Sequence, residues 1–237
     1  MRSWQEELLK ITESTDSEQE VFRRIESAAK SMGFDHCAYG LRVPWPLTNP
    51  KILMVNNYTP AWQKRYADSG YLFIDPTVKH GQQSQKPLVW TEDVFASCRP
   101  LWEDARAHGL SVGWAQSSLD SNGIGGMLSL ARSHETLTSA ELKAKESQMR
   151  WLVNIAHLAL SRALIEKATQ SQNIGLTRRE IEVLKWTGDG KSAQEIADIL
   201  NVSKHVVDFH IKNAIYKLQT ANKTAAVVKA AMLGFLN

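Results

Sequence analysis

The chain has 237 residues, 43% apolar and 22% charged, with a formal net charge of +3. That length supports one large or two modest domains with real cores. No apolar run approaches the ~18 residues of a membrane span. MRSWQEELLKI carries charges where a secretory leader needs an apolar stretch, so a cytoplasmic protein with no membrane association is expected. Two cysteines, Cys37 and Cys98, are too few and too isolated for a disulfide framework or a metal cage.

From residue 174 onward nine Lys/Arg face six Asp/Glu, so the whole positive excess sits in the last 64 residues. A local excess of that sign fits a polyanionic partner. Tryptophan is divided the other way, with seven of eight before residue 174. The two halves do different jobs.

In chain order, an amphipathic helix spans 18–31 and ends at Gly33, whose lack of a Cβ suits a left-handed cap. HCAYGLRV reads as a strand, VPWPLTNP as a proline-rich loop, and KILMVNN as a second strand. Pro60 stands at the favoured first position of a helix. LVW is a short strand, 100–108 a helix closed by Gly109, and SVGWAQSSL and GGMLSLARS are strands joined by the turn-rich DSNGIG. A long helix covers 139–168, with Leu142, Met149, Leu152, Val153, Ala156, Leu160 and Leu164 near the 3.6 period. The expected fold is α+β: an N-terminal α/β/α sandwich on a central antiparallel sheet, then an all-α helix-turn-helix domain. The boundaries expected are 1–165, a linker at 166–175, and 176–237.

Residues 176–218 carry the sharpest local signals. Thr177-x-x-Glu180 and Ser192-x-x-Glu195 are capping boxes that open two helices. Asn201-Val202 is a tight turn, and Ser203 caps a third, longer helix. Two helices across a short turn form a DNA-binding layout. At 100° per residue Val207, Ile211, Ala214 and Leu218 form a buried stripe, and His205, Phe209, Lys212 and Tyr216 lie opposite, flanked by Val206 and Asn213. That outer face offers donors and a cation without a line of acids, as a groove-reading helix requires. The plainer reading is a three-helix packing unit with a solvated face.

This segment resembles the C-terminal domain of the LuxR family of bacterial transcription regulators. The likeness runs through Glu180, Leu184, Gly190, Lys191, Glu195, Ile196, Ala197, Leu200, Ser203, Val207, His210, Asn213, Lys217 and Leu218. It implies a DNA interface of Lys191, Ser203, Lys204, His205, Val206, Phe209, His210, Lys212 and Asn213. The family form usually has Thr in place of Val206, and Asn or Lys in place of Asp208. The helix at 223–235 either pairs two domains across a dyad, as in that family, or is a plain core helix.

In the first domain Trp62 and Tyr66 sit four apart on one helix face. Asp75-Pro76 follows the apolar YLFI, and a carboxylate drawn toward a core needs compensating donors. With Tyr58, these residues make an apolar body with polar tips, suited to a small neutral ligand with an amide and carbonyls. Trp90, Trp102 and Trp114 add apolar wall; read alone, the same aromatics fit an ordinary core equally well.

Residues 1–165 resemble the acyl-homoserine-lactone-binding domain of quorum-sensing LuxR-type receptors, through Tyr58, Trp62, Tyr66, Asp75, Pro76, Trp90, Gly113 and LWEDARAHGL. The resemblance implies that Trp62 donates to the lactone carbonyl and Asp75 accepts the amide N–H. Tyr58 and Ser129 would donate to the amide carbonyl, with Tyr66 and Trp90 packing on ring and chain. Trp102, Ala105, Leu110 and Met127 are candidates for the chain pocket. Implied partners are the lactone as regulatory ligand, a second copy of the chain, a near-palindromic DNA duplex, and RNA polymerase if the protein activates; no cofactor is implied.

Catalysis is disfavoured, because no G-x-S-x-G, H-E-x-x-H or H-x-H-x-D pattern occurs and the seven histidines are scattered. A phosphoacceptor domain would need parallel strands alternating with helices, which the pattern does not supply. A ligand-independent regulator acting by heterodimerisation stays open.

Overall fold

In the computed structural model the described residues are 17–43, 45–120, 123–169 and 175–236, with backbone alone at 166–169. The N-terminal 16 residues and half of the expected linker (170–174) lie outside them. The chain divides into two compact units, one ending at residue 165 and one centred on the residues that follow.

The first unit is built on five antiparallel strands in the order β2-β1-β5-β4-β3: β1 (His36–Val43), β2 (Lys51–Asn56), β3 (Leu88–Val89), β4 (Val112–Leu119) and β5 (Gly125–Arg132). Around it lie α1 (Glu18–Ser31), α2 (Pro60–Asp68), α3 (Pro76–Gln83), α4 (Arg99–Ala107) and α5 (Ser139–Thr169). Strand register assigns side chains to the two faces, since neighbours alternate and aligned partners share a side. One row crosses His36, Ala131 and Gly113, the next Ala38, Ser129 and Ala115, and the next Gly40, Met127 and Ser117. These form the front face. Cys37, Leu130 and Trp114, with Tyr39, Leu128 and Gln116, point to the back.

Trp114 is therefore not a wall of the ligand cluster, contrary to the expectation from sequence. It aligns with Leu130 on the back face, almost fully buried. β4 and β5 are covered on both faces, so their apolar pattern does not alternate and gives no sign of which side a given residue takes. On the back, Gly126 lets two buried groups close over the sheet: a Cβ there would lie 2.3 Å from the Tyr39 hydroxyl and 2.5 Å from His157 Nδ1, which share a 2.7 Å hydrogen bond.

A three-charge clamp ties sheet to helices. Arg132, at the end of β5 and buried, donates to both Glu141 oxygens at 2.8 and 2.9 Å. Lys145 donates to Glu141 at 2.7 Å and to the Met32 carbonyl past the end of α1 at 2.8 Å. The bonds from Arg132, then Lys145, hold the Glu141 carboxyl down at about 2. A depressed carboxylate stabilises the fold above its ordinary range, and that stabilisation is lost as pH falls toward 2. Glu141→Gln is expected to lower stability by about 2 kcal/mol near neutrality, leaving Arg132 without its counter-charge. Thermal melts from pH 7 to 3 should show the gap between variant and wild type narrowing below about pH 4.5, where the unfolded carboxylate takes up a proton that the folded one still refuses.

The second unit is α6 (Arg178–Gly188), α7 (Ala193–Leu200), α8 (Lys204–Lys217) and α9 (Lys223–Met232). Both expected capping boxes are formed, at Thr177/Glu180 and Ser192/Glu195. Asn201 ends α7 with φ 52°, a left-handed turn that asparagine tolerates, and Ser203 caps α8. Two small cores hold the helices: Val183, Ile196, Ala197 and Val207 under the turn, and Leu184, Ala214, Leu218, Ala226 and Ala230 against α9.

Candidate functional site

The front of the sheet carries the aromatic cluster. Thr59 caps α2 and Pro60 opens it, which turns Trp62 and Tyr66 to one side with ring centroids 5.6 Å apart. Trp62, Trp102, Ala105 and Leu110 are buried in one core with Tyr71, Phe95, Leu101 and Ala131, and Tyr58, Tyr66 and Trp90 pack against it. Ser129 is buried on the same sheet face as Ala131, and Met127 follows it there against α3. Trp90 lies flat on Gly113, where a Cβ would come within 2.2 Å of the indole. All ten ligand candidates thus lie on, or pack toward, the front face.

Asp75 is buried and serves as N-cap of α3, with Pro76 in the first turn. Oδ1 accepts from the Thr77 amide at 2.8 Å and its hydroxyl at 2.7 Å, and Oδ2 accepts from the Tyr66 hydroxyl at 2.9 Å. A carboxylate offers about four lone-pair sites. Among the described residues three are filled, two on Oδ1 and one on Oδ2, which leaves one acceptor position on Oδ2. Burial, reinforced by the Asp75 charge, pushes the Tyr66 phenol well above its ordinary pKa, and burial does the same for Tyr58. Both are neutral hydroxyls near neutral pH. Trp90 Nε1, Trp102 Nε1 and His36 Nδ1 are buried without a hydrogen-bond partner among the described residues.

Two members escaped the sequence reading. Thr77 was visible only as the third letter of Asp-Pro-Thr, an N-cap signature that also announces α3. His36 enters through strand register and a 5.9 Å ring contact with Tyr58. Below the cluster Asp104 on α4 accepts from Arg65 on α2 at 2.6 Å and from the Tyr71 hydroxyl. The Tyr71 bond, then Arg65, lowers the Asp104 pKa, and together these contacts set the spacing of the two helices that carry Trp62 and Trp102. A cleft of about 530 Å³ lies elsewhere, between α1 and edge strand β2, and none of the ten candidates lines it.

In the second unit α8 presents His205, Val206, Phe209, Lys212 and Tyr216 to solvent, with His210 and Asn213 half-buried at its flanks. Lys191 stands in the turn between α6 and α7. Lys204, first in the helix, reaches its own Asp208 at 2.9 Å. Buried Glu180 fixes the far end of α8: it closes the Thr177 capping box at 2.7 Å and accepts from Lys217 at 2.8 Å. Burial opposes its ionisation, but the bonds from Lys217 and Thr177 outweigh that and lower its pKa. Lys229 donates to the Leu218 carbonyl at 2.8 Å, completing the C-terminal cap.

The pairing of these two sites is that of a regulator that couples a small-molecule site to a DNA-reading helix. Residues 17–160 match the autoinducer binding domain, and 175–230 match the bacterial regulatory proteins of the luxR family. The chain belongs to the LuxR family of quorum-sensing regulators, and is a ligand-responsive, DNA-binding transcription regulator. It is 43% identical to the transcriptional activator protein AnoR of Acinetobacter nosocomialis over the full length of both chains. It is similar to Escherichia coli SdiA in complex with octanoyl-rac-glycerol, with TM-score 0.85, 34% identity, and 99% and 95% of the two chains covered. It is also similar to CepR2 of Burkholderia cenocepacia, an N-acylhomoserine lactone dependent LuxR family factor, with TM-score 0.63, 29% identity, and 68% and 95% covered.

Two variants test this geometry. Thr77→Val removes one donor from Asp75, and should raise the half-saturating ligand concentration about fivefold in a thermal-shift titration and lower the ligand-free melting point by a few degrees. Glu180→Ala breaks the capping box and strands Lys217, so calorimetry should show the second unit losing about 3 kcal/mol.

Proposed function

We propose that the chain senses an N-acyl-homoserine lactone through the front-face cluster and binds DNA as a homodimer when the ligand is held. The observation that carries this reading is the buried Asp75 carboxylate with one lone-pair site left on Oδ2. An amide N–H fits that site; a carboxylate or phosphate ligand would be repelled there. Trp62 donates to the lactone carbonyl, Tyr58 and Ser129 to the amide carbonyl, and Tyr66 and Trp90 pack on ring and chain. Trp102, Ala105, Leu110 and Met127 line the acyl chain, at ~0.8 kcal/mol per buried CH₂. The indole N–H groups of Trp90 and Trp102, without a partner among the described residues, support a ligand that brings acceptors of its own.

The sensor domain covers 1–165, a linker 166–175, and the DNA-binding domain 176–237. Ligand stabilises the sensor by mass action. Dimerisation then uses α5 and α9, and two α8 helices address half-sites about one turn, ~10 bp, apart on a near-palindromic duplex. Ser203, Lys204, Lys212 and Lys191 face phosphates, and His205, Val206, Phe209, His210 and Asn213 face the groove. Among the described residues no helix is long and apolar enough to cross a membrane, and the protein acts in the cytoplasm, with RNA polymerase as a further partner if it activates. The chemistry needed is recognition alone, with no catalysis and no cofactor.

Expression with a panel of acyl chain lengths tests the reading. One length or a narrow band should raise soluble yield and melting temperature, and Trp62→Phe should weaken the response about tenfold. Unchanged yield and melting point across the panel would point instead to a ligand-independent regulator.

A further inference from the structure

We propose that Val206 and Phe209 form an apolar reader of thymine 5-methyl groups in the major groove. The proposal rests on α8 being the groove-reading helix. Val206 and Phe209 are three residues apart, hence neighbours on the helix surface, and are 37% and 55% exposed. They are the third and sixth residues of α8, within the two turns that enter the groove first. Tyr216 is 84% exposed but stands seven residues on, ~10 Å along the axis. That is close to the groove's own width, so it reaches the rim rather than a base edge.

The chemistry around the pair narrows what it can meet. His205 and Asn213 bring donors, which answer N7 and O6 acceptors, while Lys212 stays with the phosphates. Asp208, the acid nearest this face, is held by Lys204 at 2.9 Å. Ser203 Oγ is committed to the Val206 amide at 3.4 Å. The Phe209 ring rests edge-on against His210, centroids 5.6 Å apart, which restricts its rotation. The thymine methyl is the apolar group that base edges expose in the major groove. Over any other edge, these two side chains would strip water from acceptors and offer nothing in return. Valine where the family usually has threonine keeps the shape and discards the hydroxyl, which enlarges the apolar patch.

The test isolates single methyl groups. The full chain, loaded with the acyl-homoserine lactone that gives the largest rise in melting temperature, selects a site from a random duplex library, and each thymine of that site is then replaced by deoxyuridine, which lacks only the 5-methyl. Wild-type affinity should fall about fourfold per methyl at one or two positions in each half-site. Phe209→Ala should bind the thymine and uracil versions of its position equally, with an unchanged melting point. Val206→Thr should lose only the second, neighbouring discrimination. Wild-type indifference to every replacement overturns the proposal, as does Phe209→Ala keeping the full difference. If the chain retains no duplex at all, the DNA reading falls and the proposal with it, a result recognised by absent binding rather than by lost discrimination.

Discussion

The molecule turns on a buried carboxylate. Asp75 is buried, and its carboxyl accepts from the Thr77 amide and hydroxyl and the Tyr66 phenol. Burying a charge without such donors is prohibitive, so the positions of α2 and α3 are dictated by the need to deliver them. Proline at the first turn of each helix, behind Thr59 and Asp75, sets the two N-termini without losing a backbone hydrogen bond. The aromatic cluster packs around the Asp75 carboxylate. In the proposed reading, specificity comes from the polar geometry and affinity from the apolar wall around it.

The second unit solves a different problem with the same device. It is too small to hold four helices by burial alone, and its cores are built largely from alanine, valine and leucine. Capping boxes and the Glu180–Lys217 pair make up the rest. The boxes set the starts of α6 and α7, while Ser203 caps the start of α8 and the Lys217–Glu180 and Lys229–Leu218 bonds hold its end, with the exposed face between them. Lys204 and Asp208 lie at its edge as a neutral pair, leaving Val206 and Phe209 as its apolar portion and His205, Lys212 and Asn213 as its donors.

What the sequence made legible follows from locality. Capping boxes, Pro at helix starts and the Trp62–Tyr66 spacing are short-range signals, and each appears in the structure where the spacing predicts. α3 was missed, because PTVKHGQQ has no apolar stripe and contains a glycine; the signal that could have found it is Asp-Pro-Thr, an N-cap followed by proline. Trp114 was misplaced because a strand buried on both faces has no alternation to show which way a ring points. The Arg132–Glu141–Lys145 clamp is local, on β5 and the helix that follows it, but the bond by which Lys145 reaches the Met32 carbonyl spans 113 residues, and no short-range pattern announces it. Ser129 and Met127 came from family likeness, and strand register then set them beside Ala131 on the front face.

The central claim is that a ligand sits against Trp62 and Asp75 in the first unit, and the tryptophan indoles report on it directly. With ¹⁵N-labelled protein, adding an acyl-homoserine lactone should shift the indole N–H resonances of Trp62, Trp90 and Trp102, assigned by single Phe substitutions. The largest movement should occur at an indole that gains an acceptor, while Trp186, in the second unit, stays in place. An unmoved Trp62 resonance under saturating ligand would contradict the account.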